Sequence, residues 1–462
     1  MLFNSLLFLV FFVIVTITYY LLPHKIRWMW LLAASCYFYM YFKPVYILII
    51  LFTIVVDYCA GILIEKATGK TRKLYLILSL ATNIGVLAFY KYFNFLAGNL
   101  NLLSGALHGP QLPLLDFILP IGLSFHTFQA MSYTIEVYRG NQPAERHFGL
   151  YALYVMFYPQ MVAGPIERPQ HILPQLHRIN NFQSRNLVTG LFFMAMGLFK
   201  KVVIADRLGL YVDPVFTNAH NHSALELLVA TYFFAFQIYC DFSGYSDIAI
   251  GTALVLGIEL MQNFNFPYLA ANVSDFWKRW HISLSTWFRD YLYIPLGGSR
   301  VNFQVTCINL LIVFMISGLW HGANWKYLVW GLIHGLLLIA YQLFNKYNIR
   351  IKGFTFLKWL ITFNLVCLAW VFFRADTVTD ACYILNKIFS GNSFTYSAGN
   401  LMSVHEIWYC SLVIIALLLG ERHLRKAKDY SNTGKLLITG VLVLACYFLG
   451  IFNEAQFIYF QF

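Results

Sequence analysis

Between Ile308 and Gly335 the chain reads INLLIVFMISGLWHGANWKYLVWGLIHG, an apolar run in which the imidazole of His321 stands between Gly318 and Gly322. The 14 residues from Thr306 to Leu319 give only about 21 Å of helix, against a hydrocarbon core of about 30 Å. His321 is therefore expected inside the protein, below the outer surface. A neutral imidazole there could take a proton from an acceptor hydroxyl as general base. It could equally hydrogen-bond a neighbouring helix. Gly318 and Gly322 let the chain turn or another group approach closely, and Trp320 and Trp325 supply bulky walls.

Other ionisable residues share this apolar context. His281, in WKRWHISLSTWF, is a second candidate, or else an anchor at headgroup level among tryptophans and basic residues. His334 follows His321 by 13 residues and lies beside a glycine, a pattern that suits a helix-packing histidine. Glu136 and Arg139, Asp241 and Asp247, and Asp57 are expected to form structural pairs with bases or with one another. No HExxH, CxxC or DxDxDG pattern supports a metal site. A GxSxG elbow and a Walker loop are also missing from the sequence. These residues alone fit a transporter as well as an enzyme.

The elements that must position them are membrane helices. Of 462 residues 60% are hydrophobic and only 11% charged, where a soluble domain carries about one quarter. The long apolar runs specify an all-α polytopic membrane protein rather than a barrel. The excess of basic residues, a formal net charge of +12, marks cytoplasmic loops and anionic membrane lipids rather than nucleic acid. Basic clusters at His24 to Arg27, Glu65 to Lys73, Arg139 to Arg185, Asn345 to Lys352 and Glu421 to Lys428 are assigned to the cytoplasmic side. Both chain termini then fall outside, joined by roughly ten to twelve helices of about 20 residues. The first helix has no basic leader region or cleavage site and reads as retained. Eight scattered cysteines read as small buried hydrophobes.

Two segments do not fit a spanning helix. PIERPQHILPQL, Pro165 to Leu176, is dense in proline and polar groups and is expected to be re-entrant or interfacial. Asp275 to Arg300 mixes Trp, Tyr and basic residues and is expected to be an interfacial amphipathic helix followed by a Pro-Gly-Gly turn. No soluble domain, linker or repeat is visible, so residues 1–462 read as one membrane domain.

The stretches FWKRWHISLSTWFRDYLYIPLGGSR and SGLWHGANWKYLVWGLIHG, in this order, resemble the membrane-bound O-acyltransferases. The similarity extends to LPIGLSFHTFQAMSYTIEVYRG, FYPQMVAGPIERP, YCDFSGYSDIAIG and LAWVFFRA, and so covers nearly the whole chain. It is greatest to the bacterial branch containing the alginate and peptidoglycan O-acetyltransferase membrane subunits and the D-alanyl transferase of teichoic acid. The resemblance implies a ring of tilted helices around a thinned centre, with an outer funnel and an inner passage meeting near His321. It implies His321 as the catalytic histidine and His281 as the second polar position. Trp320, Asn324 or a protonated His281 would then supply hydrogen bonds to the tetrahedral intermediate.

The same resemblance gives a role to the closing FIYFQF, residues 457–462. Related systems carry a terminal aromatic motif whose tyrosine is proposed to relay the acyl group; here that residue is Tyr459. A phenyl ester leaves more readily than an alkyl one, which suits a relay. The alternative is an aromatic anchor at the interface. The abrupt close of the chain on this motif favours the relay. The expected function is an inner-membrane O-acetyltransferase with no bound cofactor. It would take acetyl from cytoplasmic acetyl-CoA and pass it to an envelope or secreted polysaccharide, with a periplasmic or surface-attached acetyltransferase as partner. D-alanyl transfer from an acyl carrier protein and transport of a glycan or lipid precursor are the alternatives.

Overall fold

The computed structural model describes residues 1–116, 119–162, 164–348, 355–391, 395–396, 401–424, 430–452 and 457–458. Every regular element among these is helical. The chain forms two compact units, Met1–Met194 with Ile248–Met261, and Ala195–Asp247 with Gln262–Phe462.

The first unit opens with α1 (Leu6–Leu21), capped by Ser5, whose hydroxyl accepts from the Phe8 N–H, and α2 (His24–Met40). Next come α3 (Ile47–Lys66) and α4 (Gly69–Leu87), which runs through a π turn into α5 (Phe93–Ala106). Then α6 (Leu123–Arg139) packs on both α3 and α4. The buried Asp57 of α3 ties this group together. It accepts from Ser79 Oγ at 2.6 Å and Asn83 Nδ2 at 2.9 Å, so its partners are a hydroxyl and an amide rather than the base expected. Glu136 and Arg139 do pair, at 3.2 Å. Two short helices, α7 (Phe148–Met156) and α8 (Pro169–His177), follow; at nine residues each they are too short to span. The non-spanning expectation for Pro165 to Leu176 is met by α8 and the buried segment before it.

A helix α9 (Ser184–Leu198) leads through a π turn, Phe199–Ala205, to α10 (Asp206–Thr217) and the 32-residue α11 (Ala224–Val255). In place of one interfacial helix between Asp275 and Arg300 there are two, α12 (Val273–Arg279) and α13 (Ile282–Phe288). The break falls at His281, whose backbone is left-handed at φ 45°. The Pro-Gly-Gly turn is present, with Gly297 and Gly298 at φ 102° and 57°.

The long hairpin α14 (Phe303–His321) and α15 (Trp325–Lys346) comes next. Its arms touch through glycines: a Cβ on Gly318 would run into the Tyr327 carbonyl, and one on Gly331 into that of Phe314. Side chains at these two positions would push the arms apart and displace His321. The second unit is completed by α16 (Thr355–Arg374), α17 (Val378–Ser390), α18 (Val404–Leu424) and α19 (Asn432–Leu449).

Among the described residues, eight helical stretches are long and apolar enough to cross a bilayer, and α1 and Val404–Gly420 are shorter apolar helices. Four cysteines are buried as expected, Cys240, Cys367, Cys410 and Cys446, whereas Cys59 and Cys382 are exposed.

Candidate active site

His321 is the last residue of α14 and is 4% exposed. Three rings stand edge-on around it: Trp320 at 5.0 Å, Trp330 at 5.2 Å and Phe373 at 5.3 Å between centroids. The structure brings His281 to the same place. Its ring lies 6.5 Å from that of His321 and 6.1 Å from that of Trp320, and it is 1% exposed. The left-handed turn between α12 and α13 is what aims it inward, so its ring lies buried beside His321 rather than at headgroup level. A bulky non-glycine residue is seldom left-handed, and such conformations concentrate at functional sites.

The tautomer of His281 follows from its partner. Asn263 Oδ1 lies 3.0 Å from His281 Nδ1, and the same atom accepts from Ser283 Oγ at 2.9 Å and from the Ser283 backbone N–H at 3.4 Å. A backbone N–H can only donate, so this Asn263 atom is the carbonyl oxygen and His281 Nδ1 carries the proton. The lone pair is then on Nε2. Burial lowers the His281 pKa to about 3, so the ring rests neutral.

Asn324 and Trp325 take other positions than expected. Asn324 is exposed and caps α15, its side-chain oxygen accepting from the Lys326 N–H at 3.1 Å. Trp325 is 56% exposed and is no wall of the site. The walls are Trp320, Trp330 and Phe373, with Trp370 stacked on Trp330 at 5.5 Å. His334 is fully buried among Trp330 at 4.9 Å, Trp277 at 5.0 Å and Phe276 at 6.3 Å. Both its ring nitrogens lack a hydrogen-bond partner among the described residues, so it packs against rings rather than bonding a neighbouring helix.

Two contributors escaped the sequence reading. Trp330 is buried against His321, and its indole N–H has no acceptor among the described residues. Such an orphan donor is costly unless a substrate oxygen completes it, which makes it a candidate for stabilising an oxyanion. The only local signal is the pair Gly318 and Gly331, which sets Trp330 opposite the end of α14. Asn263, 18 residues before His281 in an irregular segment, gives no such signal.

The aspartates predicted to be structural connect this site to the closing motif. Asp241 pairs with Lys201 at 2.6 Å, and Lys201 with Asp206 at 2.8 Å; Asp247 pairs with Lys200 at 2.9 Å. The other oxygen of Asp241 accepts the backbone N–H of Ile458 at 2.7 Å. Phe457, 3% exposed, lies 4.9 Å from Tyr245 and 5.7 Å from Phe242, and Phe242 is 4.6 Å from His281. The start of the motif is thus docked one aromatic ring from the paired imidazoles. Tyr459 lies outside the described residues.

A cavity of about 430 Å³ adjoins α12, α13, α14 and α15. Trp277, Phe314 and Val313 form its apolar lining, Lys278 and Arg289 add positive charge, and Ser317 reaches it one helical turn before His321. The room and the charge suit a thiol-bearing arm with an anionic head.

Comparison with known proteins gives the class of protein that holds this buried pair of imidazoles. A profile of the membrane-bound O-acyltransferase family matches residues 142–376. The peptidoglycan O-acetyltransferase of Helicobacter pylori is 36% identical over 489 aligned positions, covering 94% of this chain and 91% of that one. The probable alginate O-acetylase AlgI of Pseudomonas aeruginosa is 37% identical over 92% of this chain and 82% of its own. The teichoic acid D-alanyltransferase of Bacillus subtilis is 28% identical over 58% of this chain. The chain belongs to the membrane-bound O-acyltransferase family; it is a multi-pass membrane protein and an O-acyltransferase.

Proposed function

We propose that this protein moves an acetyl group from cytoplasmic acetyl-CoA to a hydroxyl on the outer side of the bacterial inner membrane, for O-acetylation of an envelope or secreted polysaccharide. The observation that carries the reading is the meeting of His321 and His281 in a closed aromatic site, their rings 6.5 Å apart. The acceptor oxygen attacks the thioester carbonyl as His321 takes its proton. The C–S bond of the tetrahedral intermediate then breaks, and the thiolate recovers the proton from His321. Trp330 donates to the oxyanion, and neutral His281 offers its Nε2 lone pair to a second hydrogen-bond donor of the acceptor. Only the acetyl group crosses, so neither substrate need traverse the bilayer.

Positive charge beside the 430 Å³ cavity supports a donor bearing phosphates. The two O-acetyltransferase relatives align with 94% and 92% of this chain, against 58% for the D-alanyltransferase, which supports acetyl over D-alanyl. Docking of Phe457 and Ile458 beside Phe242 supports Tyr459 as an acetyl relay, and the placing of the basic clusters supports both chain termini outside. A periplasmic or surface-attached transferase would complete delivery. The test is to give purified protein isotope-labelled acetyl-CoA or a labelled acetyl carrier protein and follow label by mass spectrometry. Label from acetyl-CoA on Tyr459, passed on to an added glycan, is the expected result; label accepted from the carrier protein alone would replace the donor.

A further inference from the structure

The first unit has a cavity of its own, of about 240 Å³, where the C-terminal end of α1 meets the start of α2 and the chain around α7 and α8. Lys25, Arg27 and Arg178 line it together with His24, His147 and His177, and among the described residues no carboxylate lines it. Of these, His177 is bonded to Glu145 at 2.8 Å. Arg27 is half-buried and held in place by neutral acceptors: its Nη1 donates to the Asn180 carbonyl at 2.6 Å and its Nε to that of Leu22 at 2.9 Å. Its guanidinium also lies 5.0 Å above the Tyr19 ring. These partners fix the position of the cation without neutralising it. Beneath the charges Leu31, Leu153 and Leu176 form an apolar floor.

The occupant follows from what adjoins the cavity. Ile179 and Phe182, 68% and 55% exposed, flank the lining residues Arg178 and Asn180 and put apolar surface beside the charges. A ligand that matches both surfaces is anionic at one end and apolar along the other. We infer that this cavity binds the phosphate headgroup of an anionic membrane phospholipid, whose acyl chains lie over the exposed apolar side chains beside it, Ile179 and Phe182. The clustering of His24 to Arg27 with Arg178, in segments that the charge rule assigns to the cytoplasmic side, fits the leaflet where anionic lipid meets basic side chains. The inference is independent of which acyl donor the enzyme uses.

The test uses the full chain, purified, delipidated and offered phosphatidylglycerol or phosphatidylcholine of identical acyl chains, with bound lipid counted by native mass spectrometry. Lys25→Gln/Arg178→Gln removes two exposed charges and spares Arg27, which braces the turn at Asn180. Each basic residue near a membrane surface contributes about a several-fold preference for anionic lipid. The wild type should therefore favour phosphatidylglycerol about tenfold, and the double variant should lose most of that preference while its melting temperature stays unchanged. Soluble glycerol phosphate in excess should not displace the lipid. Equal retention of the two lipids, an unchanged preference in the variant, or displacement by glycerol phosphate would each overturn the inference. The last result would make the cavity a site for a soluble anion.

Discussion

Phe457→Ala tests whether the docked segment matters to transfer, and its effect can be worked from the contacts. Burial of Phe457 and Ile458 contributes about 2 kcal/mol each. The bond from the Ile458 N–H to the Asp241 carboxylate, at 2.7 Å, adds about 2 kcal/mol. Ordering two residues and their side chains costs about 4 kcal/mol. The net, about 2 kcal/mol, keeps the segment docked about 30-fold over undocked. Removing a buried phenyl ring costs about 3 kcal/mol or more, which reverses the balance and leaves roughly one molecule in six or fewer docked. Acetyl transfer to an added glycan should fall about fivefold or more. Meanwhile the melting temperature holds, because docking of the segment contributes only about 2 kcal/mol net, and the segment becomes open to a protease. Phe457→Leu, which keeps most of the buried area, should retain most of the activity. Wild-type transfer by a Phe457→Ala protein whose segment is freely cleaved would refute the coupling.

Three further outcomes follow from the geometry. Asn263→Leu removes the acceptor that fixes the His281 tautomer, so kcat should fall about tenfold at unchanged donor KM. Asn263→Asp restores the acceptor and should recover much of the loss, while its charge 3.0 Å from the ring carries the His281 pKa well above 3 and gives the pH–rate profile a new acidic limb. Trp330→Phe deletes only the indole N–H beside His321 and should lower kcat about 100-fold if that donor serves the oxyanion; a change under threefold would remove it from the mechanism. Stability should also depend on pH through His171, whose pKa is raised first by its hydrogen bond to Glu167 at 2.7 Å. A raised histidine stabilises the fold fully below its unfolded value of about 6.5 and loses that effect as pH rises through the folded value. The melting temperature of His171→Asn should therefore trail the wild type most near pH 6 and approach it above that folded value. A gap constant with pH would assign His171 a packing role only.

What was legible in the sequence was whatever a short stretch dictates by itself. The apolar runs gave the helices, and a 14-residue run was too short to bring His321 to the surface, so its burial followed from length. The position of His281 was not legible in this way. Its neighbours are those of an interfacial helix, and only the left-handed turn, held from the neighbouring Asn263, swings the ring inside. Asn324 and Trp325 were misplaced for a related reason: beyond Gly322 the chain turns to start α15, so Asn324 serves as its cap and Trp325 faces outward. Trp330 owes its place to the glycine-lined hairpin, of which Gly318 and Gly331 are the only sign in the sequence, whereas the contact of Asp241 with the closing motif joins segments 217 residues apart, which no local pattern encodes.

The central claim is that His321 is the base for acyl transfer. The most direct measurement is the rate at which purified His321→Ala consumes labelled acetyl-CoA and O-acetylates an added glycan, beside wild type, with melting temperature and helicity checked for both. The account predicts a folded protein whose transfer falls by about 100-fold to 10,000-fold, the range of a lost general base. A folded His321→Ala protein that transfers acetyl at the wild-type rate would contradict it.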